Sequence, residues 1–408
     1  MRQERIFISK IIIHKVRHLE QIEIPLSDEK MKHLIITGRN GSGKTSLLDA
    51  IAGLLLSLTE NNERLFDEDA NIYLKRKDLD NLSQSEKIKN LEKLSSVFDT
   101  KFHGIWLNMN CEIPLVYERF QQGDFVVAYY KADRTFSAEV PKHVEKLEFK
   151  EHYSVNDTPR TEFIKYLLDM KMTEALARAN GKPEKADRIN LWFTEFEKML
   201  AQILDNPSLR LVFDVDTFKF SIVMDDREPF DFNTMSGGYS AILDIVADLI
   251  MRMDRSGDRV FDFSMPGIVL IDEIETHLHL ELQRNIMTFL TTTFPNIQFI
   301  VSTHSPFILN SLENVTIYDL ENKLLVQDNL VDVPYSGIIE GYFRADETSD
   351  SLKEKFERYK ELAGKSDLSD EDMDEIAELE LYLNEIPDYL ALDITTEYRR
   401  LKQDLRRR

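Results

Sequence analysis

Eight residues near the beginning of the chain have the types and spacing of a phosphate-binding loop. The stretch 38-GRNGSGKT-45 follows an apolar run, 33-HLIIT-37, and precedes a segment with helical periodicity. That strand–loop–helix context is the one this pattern requires. Glycine lets main-chain N–H groups converge on phosphate oxygens, and the helix start adds positive potential. We therefore expect nucleotide contacts from a set of loop residues: Gly38, Asn40, Gly41, Ser42, Gly43, Lys44, Thr45 and Ser46.

An acidic pair follows another apolar run, 267-GIVLIDE-273, much later in the chain. Lys44 would reach the β- and γ-phosphates of ATP, and Thr45 would offer its hydroxyl to Mg²⁺. Asp272 would complete the metal shell, while Glu273 would polarise the attacking water. Two carboxylates at the end of a buried strand repel each other without a cation, so the pair indicates a metal ion. A strand running into a solvated acidic turn is the alternative interpretation.

A second candidate anion-binding element lies between these two motifs. In 234-TMSGGYSAILDIV-246, Ser236, Gly237 and Gly238 open a segment with helical apolar periodicity. Their N–H groups would form another cluster at a helix N-terminus. Because one phosphate loop already serves the nucleotide, a second such element suggests a site built from two parts. Taken alone, the same residues also fit an ordinary helix start.

The order of these motifs resembles that of the ABC-type ATPases, specifically the SMC/RecF-like branch. In that family MSGGYS corresponds to the signature motif. The run 301-VSTHS-305 resembles the switch-histidine motif, which implies that His304 senses the γ-phosphate. The resemblance implies a catalytic role for Glu273 and His304, with ATP and Mg²⁺ as ligands.

A narrower resemblance is to the AAA-domain ATPases of bacterial anti-phage defence operons, including OLD-like proteins and Septu- or retron-associated ATPases. The run 272-DEIETHLHLELQ-283 is similar to their D-E-P-E-x-H-L-H-P-x-x-Q pattern. Both prolines are missing, since Ile274 and Leu280 occupy those positions. His279 then takes the D-loop position, where transporters usually carry aspartate.

The same run allows a different interpretation, in which Glu275, His277 and His279 bind a metal ion. Two histidines two residues apart at a helix start point to different faces, which disfavours a shared metal. The metal-site interpretation is therefore the weaker of the two.

Two arginines are further candidates for the nucleotide site. No clear Q-loop can be recognised around Gln121 and Gln122, but 132-ADR-134 resembles a short family motif near a strand end. This resemblance implies a position near the nucleotide for Arg134. Arg17, after the first strand, resembles a family arginine near the phosphates. Solvated arginines are common, so both assignments compete with a purely structural role.

Hydrophobic periodicity predicts the elements that must position these residues. Strands over 267–272 and 297–303, joined by a helix near 280–294, predict a parallel sheet. The expected fold is α/β, a P-loop NTPase with an ABC-type head, an antiparallel β subdomain, a helical insertion and a helical C-terminal tail. We divide the chain into an N-terminal ATPase lobe (1–135), a helical insertion (136–208), a C-terminal ATPase lobe (209–328) and an acidic helical tail (329–408).

Composition limits the classes of function. The 408 residues carry a net charge of −22, which argues against nonspecific coating of nucleic acid. The longest apolar runs are far shorter than the ~18–20 residues of a membrane span. The single cysteine, Cys111, fits a reducing cytoplasm.

The sequence therefore predicts an ATPase that forms ATP-sandwiched head-to-head dimers, or higher oligomers, and regulates a partner effector such as a nuclease or toxin. One alternative is a RecF-like repair ATPase that clamps DNA, for which Lys75, Arg76, Lys77 and the terminal arginines are the basic candidates. Another is the nucleotide-binding subunit of a transporter. A built-in Toprim nuclease is disfavoured, because Glu340-Gly341 and 368-LSDEDMDE-375 are followed by too few strands.

Overall fold

The computed structural model describes residues 5–60, 102–141, 143, 145–254, 263–327, 350–365, 369–384, 397–398 and 400–402. Several features of the sequence analysis lie outside these residues: the basic run 75–77, the Glu340-Gly341 pair and the last arginines, 406–408. The chain divides into two compact units, Met1–Asp332 and Val333–Arg408. The four-segment division drawn from the sequence stays a prediction.

In chain order the regular elements are β1 (Ile8–Val16), β2 (Leu19–Pro25), β3 (His33–Thr37), α1 (Lys44–Glu60), β4 (Ile105–Met109), α2 (Ile113–Gln121), β5 (Val126–Tyr130), α3 (Phe163–Ala179), α4 (Pro183–Ile203), β6 (Arg210–Asp214), β7 (Lys219–Met224), β8 (Arg227–Phe230), α5 (Gly237–Met253), β9 (Gly267–Ile271), α6 (Leu280–Thr293), β10 (Ile297–Ser302), α7 (Pro306–Leu309), β11 (Val315–Asp319), β12 (Leu324–Val326), α8 (Asp350–Ala363) and α9 (Asp370–Asn384).

A six-stranded sheet in the order β12-β11-β3-β10-β9-β5 forms the centre of the first unit. All neighbours pair in parallel except β12, which pairs antiparallel with β11. Every residue of β3, β9 and β10 is buried, which explains their continuous apolar sequences. The predicted α/β fold with a parallel sheet is confirmed. The carboxyl ends of β3, β9, β10 and β5 lie at one edge, where ligands bind in open α/β sheets.

A three-stranded antiparallel sheet, β2-β1-β4, shares a hydrophobic core with the central sheet and α1. The apolar pattern of 104–113 by itself favours one continuous strand, but β4 ends at Met109 and α2 begins at Ile113. The reason is local: Pro114 lies at the start of this helix, and Val116 and Phe120 bury one helical face.

The helical part of the predicted insertion is confined to α3 and α4, which agrees with the helical periodicity. The described residues between 136 and 158 form neither helix nor strand, and a 3-10 turn at Pro159–Glu162 leads into α3. Gly181, with φ of +68°, turns the chain between the two helices. Their interface is aromatic, and Tyr166 of α3 packs edge-on against Trp192 of α4 with ring centroids 5.6 Å apart.

Beyond this pair lies a second antiparallel sheet, β6-β7-β8. In the unit Val333–Arg408, α8 and α9 contribute to a small core around Tyr359. Within the described residues, the model contains no helix with the length and apolar character needed to cross a membrane.

Candidate functional site

The phosphate-binding loop connects β3 to α1 at the carboxyl edge of the central sheet. Three of its glycines have positive φ: Gly38 (+136°), Gly41 (+83°) and Gly43 (+101°). At Gly38 a Cβ atom would lie 2.8 Å from Ser42 Oγ, so a larger residue would strain the loop. Around Gly41 a Cβ would meet nothing within 4 Å, which leaves the concave side of the loop open.

Lys44 points its ammonium group back across this loop. Its Nζ donates to the carbonyl oxygens of Gly38 (2.9 Å) and Arg39 (3.2 Å). Burial lowers the pKa of Lys44, and the carboxylates of Glu273 and Asp272 oppose that shift. Ser42 Oγ is buried and forms no hydrogen bond within the described residues. An open glycine loop with a buried cation and a buried hydroxyl of this kind fits a polyphosphate.

The turn between β1 and β2 lies beside the loop. His18 Nε2 is 3.1 Å from the carbonyl oxygen of Ser42, and a Cβ at Gly43 would come within 3.0 Å of Leu19. Arg17 occupies the same turn with φ of +54° and is exposed. The structure thus places Arg17 next to a residue that contacts the loop, and its predicted contact with the nucleotide stays a prediction.

Asp272 and Glu273 follow β9, which we call the Walker B strand, and face the start of α1. Thr45 Oγ1 donates to Asp272 Oδ2 at 2.8 Å, so the two predicted magnesium ligands lie together. Ser302, at the end of β10, donates to the other Asp272 oxygen and accepts from the main-chain N–H of Glu273 at 2.8 Å. This serine therefore fixes both acids, a role that the sequence did not indicate.

Glu273 itself has an unusual backbone. Its φ is +43°, a conformation that costs energy for a residue with a side chain. Thr276 Oγ1 donates to Glu273 Oε2 at 3.3 Å, which orients the carboxylate. Ser302 and Thr276 thus hold the predicted catalytic base in a strained but fixed position.

Arg134 supports this acidic turn from below. Only 5% of the residue is exposed, and its guanidinium donates to the carbonyl oxygens of Asp272 (2.7 Å), Glu273 (3.0 Å) and Ile274 (2.8 Å). These contacts consume most of its donors. What the structure shows is an arginine that shapes the Walker B turn, while direct contact with the nucleotide stays a prediction.

His304 follows β10 and lies near the same group of charges. Burial, and then the positive charge of Lys44, lower the pKa of His304, which favours a neutral imidazole at pH 7. Its Nε2 is buried and makes no hydrogen bond within the described part of the chain. A buried ring nitrogen without a partner is suited to a ligand oxygen, as expected of a phosphate sensor.

The signature residues Ser236, Gly237 and Gly238 form the start of α5, next to the turn that follows the Walker B strand. Ser236 and Gly237 are exposed, and the Ser236 side chain forms no capping hydrogen bond to the helix. Gly238 is buried and lies close to the His277 turn, since a Cβ atom at this position would be 2.7 Å from the carbonyl oxygen of His277. Within one chain, the signature therefore packs against the turn that follows Walker B.

A network of five charged or polar side chains, all buried except the partly buried Arg160, anchors α5 behind the signature. Asp248 accepts from Arg252 (2.6 Å), from Arg160 (3.2 Å) and from the Tyr130 hydroxyl (2.8 Å). Arg160 also pairs with Asp244, whose pKa burial raises to about 6. Since Tyr130 ends β5 and Arg160 precedes α3, the network joins the signature helix to both elements.

The alternative assignments gain little from the geometry. Among the described residues, no group of three or more His, Cys, Asp or Glu is arranged to hold a metal ion. His279 is the residue before α6 and packs edge-on against Tyr239, with centroids 5.7 Å apart. Gln121 donates to the carbonyl oxygen of Thr59, at the end of α1 that lies about 25 Å from the phosphate loop.

Comparison with known proteins places these motifs in a family. A family model described as an AAA domain, whose description also names the AbiEii toxin of type IV toxin–antitoxin systems, matches residues 131–310. A second AAA-domain model matches residues 10–103. The two matches contain the phosphate loop, the signature residues, the Walker B acids and His304. Both models describe AAA domains, so the chain is similar to that family over the residues that the two models match.

Relatives of this family include proteins of two named bacterial systems. The chain is 25% identical over 389 residues to the Septu protein PtuA of Bacillus mycoides, covering 92% of this chain and 50% of that protein. It is 24% identical to the retron Vc95 ATPase of Vibrio cholerae, covering 77% of this chain and 73% of that one. These matches confirm the resemblance stated from the 272–283 run. The chain spans about half the length of the Bacillus mycoides protein.

Two solved structures of SMC heads are similar to this chain at lower sequence identity than these relatives. The SMC head bound to the C-terminal winged-helix domain of ScpA gives a TM-score of 0.40 at 16% identity, covering 80% of this chain and 100% of that one. The Thermotoga maritima SMC head gives 0.35 at 14% identity, covering 77% and 94%. The strand order and the motif positions, rather than these scores, define the fold.

Proposed function

We propose that this AAA-domain ATPase binds and hydrolyses ATP and uses the reaction as a conformational switch. The observation that carries the proposal is the convergence of Lys44, Thr45, Asp272, Glu273 and His304 at one edge of the sheet. Thr45 and Asp272 would hold Mg²⁺, which neutralises charge on the phosphates when it is bound. Lys44 would bind phosphate oxygens, and its position across the loop supports this role.

Glu273 would accept a proton from the attacking water. Its carboxylate is oriented by Thr276, and its main chain is held by Ser302, so the base is in place before the nucleotide binds. Such preorganisation avoids a cost at the moment of reaction. His304 would donate a hydrogen bond from its Nε2–H to the terminal phosphate of ATP. ADP lacks this phosphate, so the bond would distinguish the two nucleotides.

The second half of each site would come from another copy of the chain. Ser236 and Gly237 are exposed at the start of α5, where the first N–H groups of a helix have no acceptor within the helix. These groups favour an anion. A head-to-head dimer would place them over the nucleotide of the partner, and hydrolysis would release them.

We also propose that the switch regulates a partner effector in anti-phage defence. The similarity to Septu PtuA and to the retron ATPases supports this assignment. The effector would be encoded by a neighbouring gene, such as a nuclease or toxin gene. Co-purification of the two products should then depend on ATP and be lost with Lys44→Ala.

The basic residues on which the DNA-clamping alternative depends lie mainly outside the described residues, so that alternative gains no support from the geometry.

The direct test of the ATPase function is phosphate release under saturating Mg-ATP, together with nucleotide binding by calorimetry. Lys44→Ala should lose both, because it removes the ammonium group that lies across the loop and would bind the phosphates. Lys219→Ala, which removes an exposed lysine of β7, should leave both unchanged. Equal rates for the wild type and Lys44→Ala would contradict the proposal.

A further inference from the structure

The switch turn, residues 303–305, is held by two side chains from the segment that follows the Walker B strand. Glu275 Oε1 accepts from the main-chain N–H of His304 at 2.5 Å. Gln283 Oε1 accepts from the hydroxyl of Ser305 at 2.7 Å. A charged acceptor makes the first of these bonds about twice as strong as a neutral one. The segment thus contacts the switch turn at two successive residues.

The remaining contacts of the turn are different in kind. The N–H of Thr303 donates to the carbonyl oxygen of Ile36 in β3 at 3.0 Å, and Thr303 Oγ1 accepts from the N–H of Ser305 at 2.9 Å. Thr303 is therefore held by β3, and Ser305 is held by Thr303 in addition to Gln283. The main-chain N–H of His304 donates a hydrogen bond to the Glu275 side chain. This carboxylate therefore determines the direction in which the His304 side chain points from the turn.

The acceptor is itself well fixed. Glu275 lies on the turn between Glu273 and α6, where Arg134 binds the carbonyl oxygens of Glu273 and Ile274. Gln283 donates its amide to the carbonyl oxygen of Leu278 at 2.7 Å, which closes the other end of the segment. A rigid segment therefore connects the Walker B acids to the switch histidine.

We propose that Glu275 is a positioning residue for His304, which it orients toward the phosphate end of the site by holding its main-chain N–H. The inference rests on the proposed ATPase function and on the role of His304 in it. Only one Glu275 oxygen is used, and Oε2 is buried without a hydrogen bond within the described residues. The proposed role therefore depends on an acceptor atom at Oε1, and the negative charge only strengthens the bond that this atom accepts.

That distinction defines the experiment, which measures kcat and KM for ATP together with the melting temperature. Glu275→Ala should lower kcat about 10- to 100-fold, because a misplaced catalytic group costs rate in that range. Its KM should stay within about threefold of the wild type, since Lys44 and the loop are intact. Glu275→Gln keeps an oxygen acceptor and should retain at least about a third of the wild-type kcat.

The double variant identifies the residue through which Glu275 acts. If Glu275 works through His304, adding Glu275→Ala to His304→Ala should cause no further loss of kcat. Glu281→Ala, an exposed glutamate at the start of α6, is the matched control and should be silent.

Two results would overturn the positioning role: equal losses in Glu275→Gln and Glu275→Ala, which indicate a requirement for charge, or additive losses in the double variant. A wild-type rate in His304→Ala would instead contradict the proposed function. If Glu275→Ala does not fold, the comparison of Glu275→Gln with wild type decides the first point.

Discussion

The two halves of the proposed composite site are held in place by different means. The phosphate half contains Thr45, Asp272 and Glu273, which bond to each other or share the Ser302 hydroxyl. The signature half contributes mainly main-chain N–H groups, and its support lies behind it, in the buried network around Asp248. One half is a set of reacting side chains. The other half is a helix N-terminus supported by the buried network around Asp248.

This difference predicts different consequences for substitution. In the phosphate half, changes to the reacting side chains should lower hydrolysis more than stability. In the signature half, changes to the Asp248 network or to the packed Gly238 should lower stability, whereas changes at the exposed Ser236 should alter assembly.

The largest expected effect is that of Glu273→Gln on catalysis. The substitution removes the proton acceptor but keeps the shape, so kcat should fall by about 10²- to 10⁴-fold. ATP affinity should stay within about threefold of the wild type, because Lys44 and the loop are unchanged. Phosphate release and calorimetric titration with ATP would measure the two quantities. An ATP affinity that falls as much as kcat would contradict the prediction, because Glu273 would then be needed for binding as well as for catalysis.

The largest effect on stability should come from a substitution in the Asp248 network, which supports the signature helix. Arg252→Met keeps the length of the side chain but leaves Asp248 without its closest cation. Breaking a buried pair costs about 3–5 kcal/mol of unfolding free energy, and urea denaturation would measure it. Arg358→Met removes an exposed pair with Glu375 and should change the free energy of unfolding far less, because solvent screens exposed charges. Similar costs for the two variants would contradict the proposed supporting role of this network.

Ser302→Ala tests the bond that links the Walker B acids. The variant leaves the N–H of Glu273 without its acceptor, which costs about 1–3 kcal/mol, and kcat should fall as the base loses its orientation. Thr316→Val is the matched control, since its hydroxyl is buried in the same sheet without a hydrogen bond in the described residues. The control should be neutral or stabilising. An equally damaging control would mean that any polar-to-apolar change in this sheet is harmful.

The smallest expected differences concern the two signature glycines. Gly238→Ala would press a methyl group against the His277 carbonyl oxygen, at a cost of about 1–3 kcal/mol. Gly237→Ala meets only ordinary contacts at 3.7 Å and should be neutral or up to about 1 kcal/mol stabilising, as alanine favours the helix. Thermal unfolding of both variants would show the difference. The reverse order would mean that the packing of the signature on the His277 turn is not tight.

The same contrast explains what the sequence could predict. The phosphate loop, the acid pair and the signature are local patterns, so their spacing alone indicated residues such as Lys44 and Asp272. The contacts of Ser302 and Glu275 join segments that lie far apart in the chain, and no local pattern reports them. The buried network around Asp248 was equally invisible, because a charged residue in an apolar helix usually indicates an exposed face. Helix α2 was missed for a simpler reason, since its apolar residues continue those of β4.

The central claim is that each nucleotide site is completed by a second copy of the chain. The most direct measurement is the molar mass of Glu273→Gln by light scattering, with and without Mg-ATP. The account predicts an ATP-dependent rise from the chain mass of 47.7 kDa to at least twice that value. Adding Ser236→Arg should abolish the rise while ATP binding persists. A mass that ignores ATP, or a Ser236→Arg variant that no longer binds ATP, would contradict the account.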